Sequence, residues 1–145
     1  MAGHSAMTHD AVSGDSASAA PVRGIVLFAH GSRDPLWHRP MQAVAQRILE
    51  SSTGLAVECA YLELSTPDLQ TVCQSLLARG VQTITIIPMF LGVGRHARED
   101  LPVLVTALRA AHPDTRFELQ SAVGEDVRLI ALLADIAVER PKGKA

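Results

Sequence analysis

Apolar and polar positions alternate along this chain in blocks of two kinds. From about residue 23 to 29 the run Arg-Gly-Ile-Val-Leu-Phe-Ala is almost wholly apolar and short, as expected of a strand buried on both faces. From about 36 to 52 the apolar residues Met41, Val44, Ala45, Ile48 and Leu49 recur at helical spacing, and Ser51-Ser-Thr-Gly54 stops the helix. A second strand is read over about 55–63. The second helix opens at Ser65-Thr-Pro-Asp68, with Pro67 in its first turn, and stops at Gly80. A third strand over about 82–90 is nearly all apolar. A third helix covers about 97–111 and stops at His112-Pro-Asp, a fourth strand about 115–121, and a fourth helix about 125–139.

Four strand–helix pairs in succession predict an α/β fold with a parallel sheet and right-handed crossovers. For four strands the doubly wound order 2-1-3-4 is the economical choice, and it sets strands one and three side by side at the topological switch point, where such folds bind ligands. The chain of 145 residues suits a single domain, read here as residues 22–145. Residues 1–21, rich in Ala, Ser and Gly, lack both a basic opening and an apolar run, so they read as a disordered tail rather than a leader peptide. No internal repeat is evident.

Composition narrows the function. Aromatic residues are only 3%, so the core is aliphatic. The net charge of −2 comes from Asp10 and Asp15 in the tail, and the rest is balanced, which leaves no electrostatic footprint for nucleic acid. No stretch has the roughly 20 apolar residues of a membrane span. Cys59 and Cys73 form no Cys-x-x-Cys pair and read as buried thiols of a cytoplasmic protein, too few for an iron–sulfur cluster. A nucleotide is not expected, because no Gly-x-x-x-x-Gly-Lys-Ser/Thr loop occurs.

Two histidines carry the chemistry. His30 closes strand one, and His96 follows strand three after Gly92-Val-Gly-Arg95. On neighbouring parallel strands both imidazoles enter one crevice, an arrangement suited to a divalent transition metal. Around them lie Ser32 and Arg33 in the first loop, and Arg95 and Arg98 in the third. Glu63, at the carboxyl end of strand two, is a candidate third ligand or proton acceptor. His38, exposed on the first turn of helix one, and His112 at the end of helix three read as structural, and Trp37, next to the His30 loop, caps the core or walls a flat apolar ligand, the core role being favoured.

The runs His30-Gly-Ser-Arg33, Tyr61-Leu-Glu-Leu64 and Pro88-Met-Phe-Leu-Gly-Val-Gly-Arg-His-Ala-Arg-Glu-Asp-Leu-Pro102 resemble the small, single-lobe sirohydrochlorin chelatases of the CbiX/SirB type, over about residues 22–140. The resemblance implies ATP-independent insertion of Co2+ or Fe2+ (Ni2+ is a further candidate) into sirohydrochlorin, on the way to cobalamin or sirohaem. His30 and His96 match the family's metal-binding pair and Glu63 its acidic position. Larger relatives have two similar lobes, so one lobe implies a homodimer. By the same reading Ser32, Arg33, Arg95 and Arg98 lie where the carboxylates of the tetrapyrrole would dock. Two other functions fit parts of the pattern. A metal carrier needs only the two histidines. A histidine-phosphatase-like phosphohydrolase also ends strand one with His-Gly, but it places an Arg where this chain has Ala29.

Overall fold

The computed structural model describes residues 23–139, so the tail expected over 1–21 lies outside the described residues. Four parallel strands, β1 (Arg23–Ala29), β2 (Leu55–Tyr61), β3 (Thr83–Pro88) and β4 (Arg116–Leu119), form one sheet in the order β2-β1-β3-β4. The helices are α1 (Arg39–Ser51), α2 (Leu69–Ala78), α3 (Arg95–Ala111) and α4 (Val127–Val138), with 3-10 turns at Pro35–His38 and Val123–Glu125. The expected fold class and strand order are both met. Among the described residues no helix is long and apolar enough to cross a membrane.

The sheet separates two apolar layers. On one side Val26, Phe28, Ala60, Ile84 and Ile86 pack against α2 and α3 through Leu76, Leu101 and Val105. Leu76 is fully buried, and its truncation to Ala would cost about 2–5 kcal/mol. A Cβ at Gly24 would lie 3.0 Å from Leu76 and 3.1 Å from Val81, so a glycine in β1 lets α2 approach closely. On the other side Ile25, Leu27 and Ala29 pack against α1 through Met41, Ala45 and Ile48. On the β3–β4 half of this second face Ile87 joins the apolar cluster, and the remaining positions are polar. Arg23 Nε donates to Thr85 Oγ1 (3.1 Å), Thr85 Oγ1 donates to Glu118 Oε2 (3.3 Å), and Arg116 Nε pairs with Glu118 Oε1 at 3.0 Å.

Several boundaries differ from the sequence reading. β2 ends at Tyr61 rather than 63, and β3 at Pro88 rather than 90, because the backbone turns into loops at the sheet's carboxyl edge. Pro67 is not in the first turn of α2. It follows a cis peptide bond and precedes Asp68, whose carboxylate caps the helix by accepting from Thr71 N at 2.8 Å. α3 begins at Arg95, two residues earlier than expected, and brings His96 into its first turn. Of the thiols, Cys73 is fully buried and Cys59 only half-buried; both are free.

Candidate active site

The carboxyl edge of β1 and β2 is held by backbone pairing that outlasts the strands. Leu62 N donates to Ala29 O (2.9 Å) and Glu63 N to His30 O (3.0 Å), which carries the ladder two residues beyond Tyr61. The chain then turns at Leu64, where φ is 62°, and comes back so that Tyr61 N donates to Pro67 O at 3.0 Å. Gly31 makes this approach possible. Its φ is +105°, and a Cβ there would fall 1.7 Å from the carbonyl oxygen of Glu63. The result is a contact of 2.9 Å between His30 Nε2 and Glu63 Oε1, with both side chains about half exposed. Glu63 is therefore a loop residue rather than the last residue of β2, but the prolonged pairing still sets it against His30. The contact leaves His30 Nδ1 as the nitrogen not engaged by the carboxylate.

β3 delivers the second loop to the same edge. Met89 N donates to Phe28 O (2.7 Å) and Gly124 N to Phe90 O (2.9 Å), pinning the start of the loop from both sides. The Phe90 ring meets the edges of Phe28 and His30, with centroids at 6.2 and 6.4 Å. His96 follows in the first, exposed turn of α3, and among the described residues its side chain makes no hydrogen bond. His30 and Glu63 are thus brought into contact, while His96 stands in the first turn of α3, which follows β3 at the same edge. Among the described residues no three His, Cys, Asp or Glu side chains gather into a metal cage within one chain.

The arginines are dispersed. Arg95 Nε pairs with Glu99 Oε1 at 3.0 Å on the exposed face of α3, which partly neutralises it. Arg98 lines a shallow groove of about 150 Å3 with Phe90, Leu101 and Leu119, on the α3–β4 side. Arg33 and Ser32 line an open cleft of about 430 Å3 with His38, Leu64 and Ser65. Exposed Leu64 and Leu91 give the edge an apolar rim.

The sequence reading missed Ser65 and misjudged two neighbours. Ser65 Oγ donates to Ser32 O at 2.6 Å and accepts from Ser32 N at 2.9 Å, stapling the first loop to the second. With that hydroxyl proton used, the His38 Nε2 proton is shared between Ser32 O (3.2 Å) and Ser65 Oγ (3.3 Å). His38 is therefore half-buried in a loop junction and not an exposed residue of α1; its ring also packs edge-on against Tyr61 at 4.6 Å. Trp37 does not cap the core. It is 38% exposed on the rim, against His38 and Tyr61, because the 3-10 turn carries it outward. His112 ends α3 as expected, its ring beside Phe117. Burial pushes the Tyr61 phenol and the Cys59 thiol upward, and the Cys73 thiol up to about 12.

The chain has known relatives. A family model described as CbiX matches residues 24–140. The sirohydrochlorin cobaltochelatase of Methanococcus aeolicus is 31% identical over 84 residues, covering 58% of this chain and 59% of that protein. The same-named protein of Sulfolobus acidocaldarius is 24% identical over 114 residues, covering 79% and 89%. The match to the first of these spans less than two thirds of its length. Among solved structures, a CbiX protein of cobalamin (vitamin B12) biosynthesis from Marinobacter aquaeolei VT8 aligns with a TM-score of 0.68 at 35% identity, covering 79% of this chain and 93% of that one. The sirohydrochlorin chelatase SirB from Bacillus subtilis subspecies spizizenii, in complex with cobalt, aligns with a TM-score of 0.66 at 23% identity; 79% of this chain matches 51% of that one. With a matching family model over nearly all of its folded part, the chain belongs to the CbiX family.

Proposed function

We propose that the chain is a cytoplasmic sirohydrochlorin chelatase that inserts Co2+ or Fe2+ into the macrocycle, in cobalamin or sirohaem biosynthesis, without nucleotide. The observation that carries this reading is the His30–Glu63 contact of 2.9 Å, half open to solvent at the carboxyl edge of β1, with His96 in the first turn of α3. The family membership and the names of the relatives support the same substrate.

Metal insertion needs three services. The incoming ion must shed water and be held with open positions, which neutral imidazoles of His30 and His96 provide. The macrocycle must lie against the edge, and Leu64 and Leu91 offer it an apolar surface there. Two pyrrole protons must leave as the ion enters. Glu63 is the acceptor, because a carboxylate in contact with one histidine both orients that ring and takes up a proton at the edge where the macrocycle docks. Ser32 and Arg33, lining the cleft beside this edge, with Arg95 and Arg98 across it, pair with peripheral carboxylates of the substrate. Arg95 must exchange its Glu99 partner to do so.

The reading includes a homodimer. This chain spans about half of the SirB chain it matches, so a second copy supplies the other half of a two-lobed molecule. An anaerobic absorbance time course of sirohydrochlorin with Co2+ or Fe2+ tests the activity. Metallation faster than in buffer, slowed in His96→Ala and in Glu63→Gln, is the expected result. A rate equal to buffer with every metal would refute it.

A further inference from the structure

We propose that His38 is a positioning residue of the metal-insertion site: its Nε2–H fastens the joined β1 and β2 loops to the start of α1 and so holds Glu63 on His30. The inference rests on the chelatase reading above and names a residue that reading does not use.

The two loops are joined at matching places. Ser32 lies two residues after His30, and Ser65 two residues after Glu63. At the root Glu63 N donates to His30 O at 3.0 Å, and at the tip Ser65 Oγ bonds both backbone groups of Ser32. Ser32 Oγ in turn accepts from Asp34 N at 3.1 Å, so N, O and Oγ of Ser32 each have a partner. Between root and tip the Glu63 carbonyl lies against Gly31, and Leu64 stands at φ 62°. A leucine resists the left-handed region, so its neighbours must hold it there. Once released, it would return to an ordinary conformation and carry Glu63 off the 2.9 Å contact with His30.

His38 anchors this pair of loops to a helix. It ends the 3-10 turn and directly precedes α1, whose Met41, Ala45 and Ile48 pack on the sheet. The 2.6 Å between Ser65 Oγ and Ser32 O requires the hydroxyl proton there. His38 Nε2 faces the same carbonyl at 3.2 Å and the same hydroxyl oxygen at 3.3 Å, so it carries a proton of its own and shares it between the loops. Trp37 at 5.6 Å and Tyr61 at 4.6 Å meet the ring edge to face and keep it from turning. Both His38 bonds are longer than those of Ser65, so losing His38 loosens the loops without parting them.

Steady-state metallation of sirohydrochlorin with Co2+ and amide hydrogen exchange by NMR, both on the full chain, test this in three variants. His38→Phe keeps a ring between Trp37 and Tyr61 and removes the donor. Its kcat should fall about 10-fold with KM within about twofold, since Glu63 acts only as the pyrrole protons leave. Exchange at the Ser32 and Glu63 amides should quicken by about 10-fold or more, while that at Val26 and Ile86, in the buried strands, stays as in the wild type. His38→Gln places an N–H where Nε2 stood and should recover kcat to within about threefold. His38→Asn reaches only to the place of Nδ1 and should fall like His38→Phe, which keeps the test intact where the latter folds poorly. An unchanged kcat in His38→Phe and His38→Asn would overturn the positioning role and leave the chelatase reading standing. A raised KM at constant kcat would also overturn it and make His38 a substrate contact, reached through the cleft of about 430 Å3 that it lines. A His38→Gln protein as slow as His38→Phe would show that the donor is not what matters. A wild type no faster than buffer with any metal would overturn the chelatase reading itself, and unchanged exchange in His38→Phe would overturn the loop anchor with or without that activity.

Discussion

Gly31→Ala is the sharpest perturbation of the candidate site, because one methyl group strikes backbone rather than a movable side chain. The new Cβ would sit 1.7 Å from Glu63 O and 2.9 Å from Glu63 C, whereas ordinary contact lies near 3.5 Å. The two loops must part by more than about 1 Å, and the Glu63 N–His30 O bond of 3.0 Å is the first casualty. Holding an alanine at φ +105° costs about 1–2 kcal/mol, and the broken hydrogen bond about 1 kcal/mol more. A loss of about 3 kcal/mol lowers the melting temperature of a domain this size by roughly 10 °C. Two glycines serve as controls. Gly54→Ala, at φ +80° with nothing within 4 Å, meets the conformational cost alone, and Gly92→Ala, in open space, meets neither. Thermal unfolding followed by circular dichroism ranks the three. The metallation rate of Gly31→Ala should fall about 100-fold, since the His30–Glu63 contact is displaced by more than 1 Å. A Gly31→Ala protein that melts with Gly54→Ala and keeps the wild-type rate would refute the reasoning.

Other consequences are equally open to measurement. Glu63→Gln preserves the side chain's shape and removes the proposed proton acceptor, so the chelation rate should drop about 100-fold or more with the melting temperature nearly unchanged; a rate within threefold of wild type would remove Glu63 from proton transfer. Ser65→Ala leaves Ser32 N–H without its acceptor, and urea unfolding should show a loss of about 1–2 kcal/mol, whereas no loss would mean that the two loops are held elsewhere. Burial keeps the Cys73 thiol protonated up to about 12, so Ellman's reagent at pH 8 should modify Cys59 slowly and Cys73 only after denaturation; two fast thiols would contradict the α2 packing. The Asp68 carboxyl is held below its usual range by its bonds to Thr71, so its stabilising effect is complete above the unfolded value near 4 and is lost as pH falls through the lower, folded value. Asp68→Ala should therefore cost about 1 kcal/mol at neutral pH and progressively less in strong acid, and a cost independent of pH would show that the cap does not act through the carboxylate.

How much of this was legible in the chain depends on the range of the forces involved. The strands, the helices and the order β2-β1-β3-β4 follow from local periodicity and connection length, which one sequence displays in full. His30 and Glu63 were legible as residues at strand ends, because a parallel sheet brings its carboxyl ends to one edge. Their contact was not, since it depends on Gly31 meeting the Glu63 carbonyl across two loops, on the positive φ of Leu64, and on Ser65 bonding both backbone groups of Ser32. Ser65 carried a weak signal, a hydroxyl two residues before a proline at a strand exit, and nothing in the chain connected it to Ser32 thirty-three residues earlier. The exposure of Trp37 and the half-burial of His38 were invisible for a related reason. Composition suggests that a lone tryptophan fills a core, whereas here the 3-10 turn capped by Asp34 fixes which way it points.

The fourth helix separates what a sequence displays from what it needs. Its periodicity predicts a helix over about 125–139, and the structure has one from Val127 to Val138. The same residues, read for polarity, leave no face for water except the stripe of Arg128 and Asp135. Among the described residues the domain offers this helix little apolar ground: α1 covers the β2–β1 half of one sheet face, α2 and α3 cover the opposite face, and the remaining quarter is a polar network beside Ile87. A helix that local propensity forms and the domain cannot bury is a hydrophobic debt of roughly 600 Å2 per chain, several times the usual cost of one misplaced side chain.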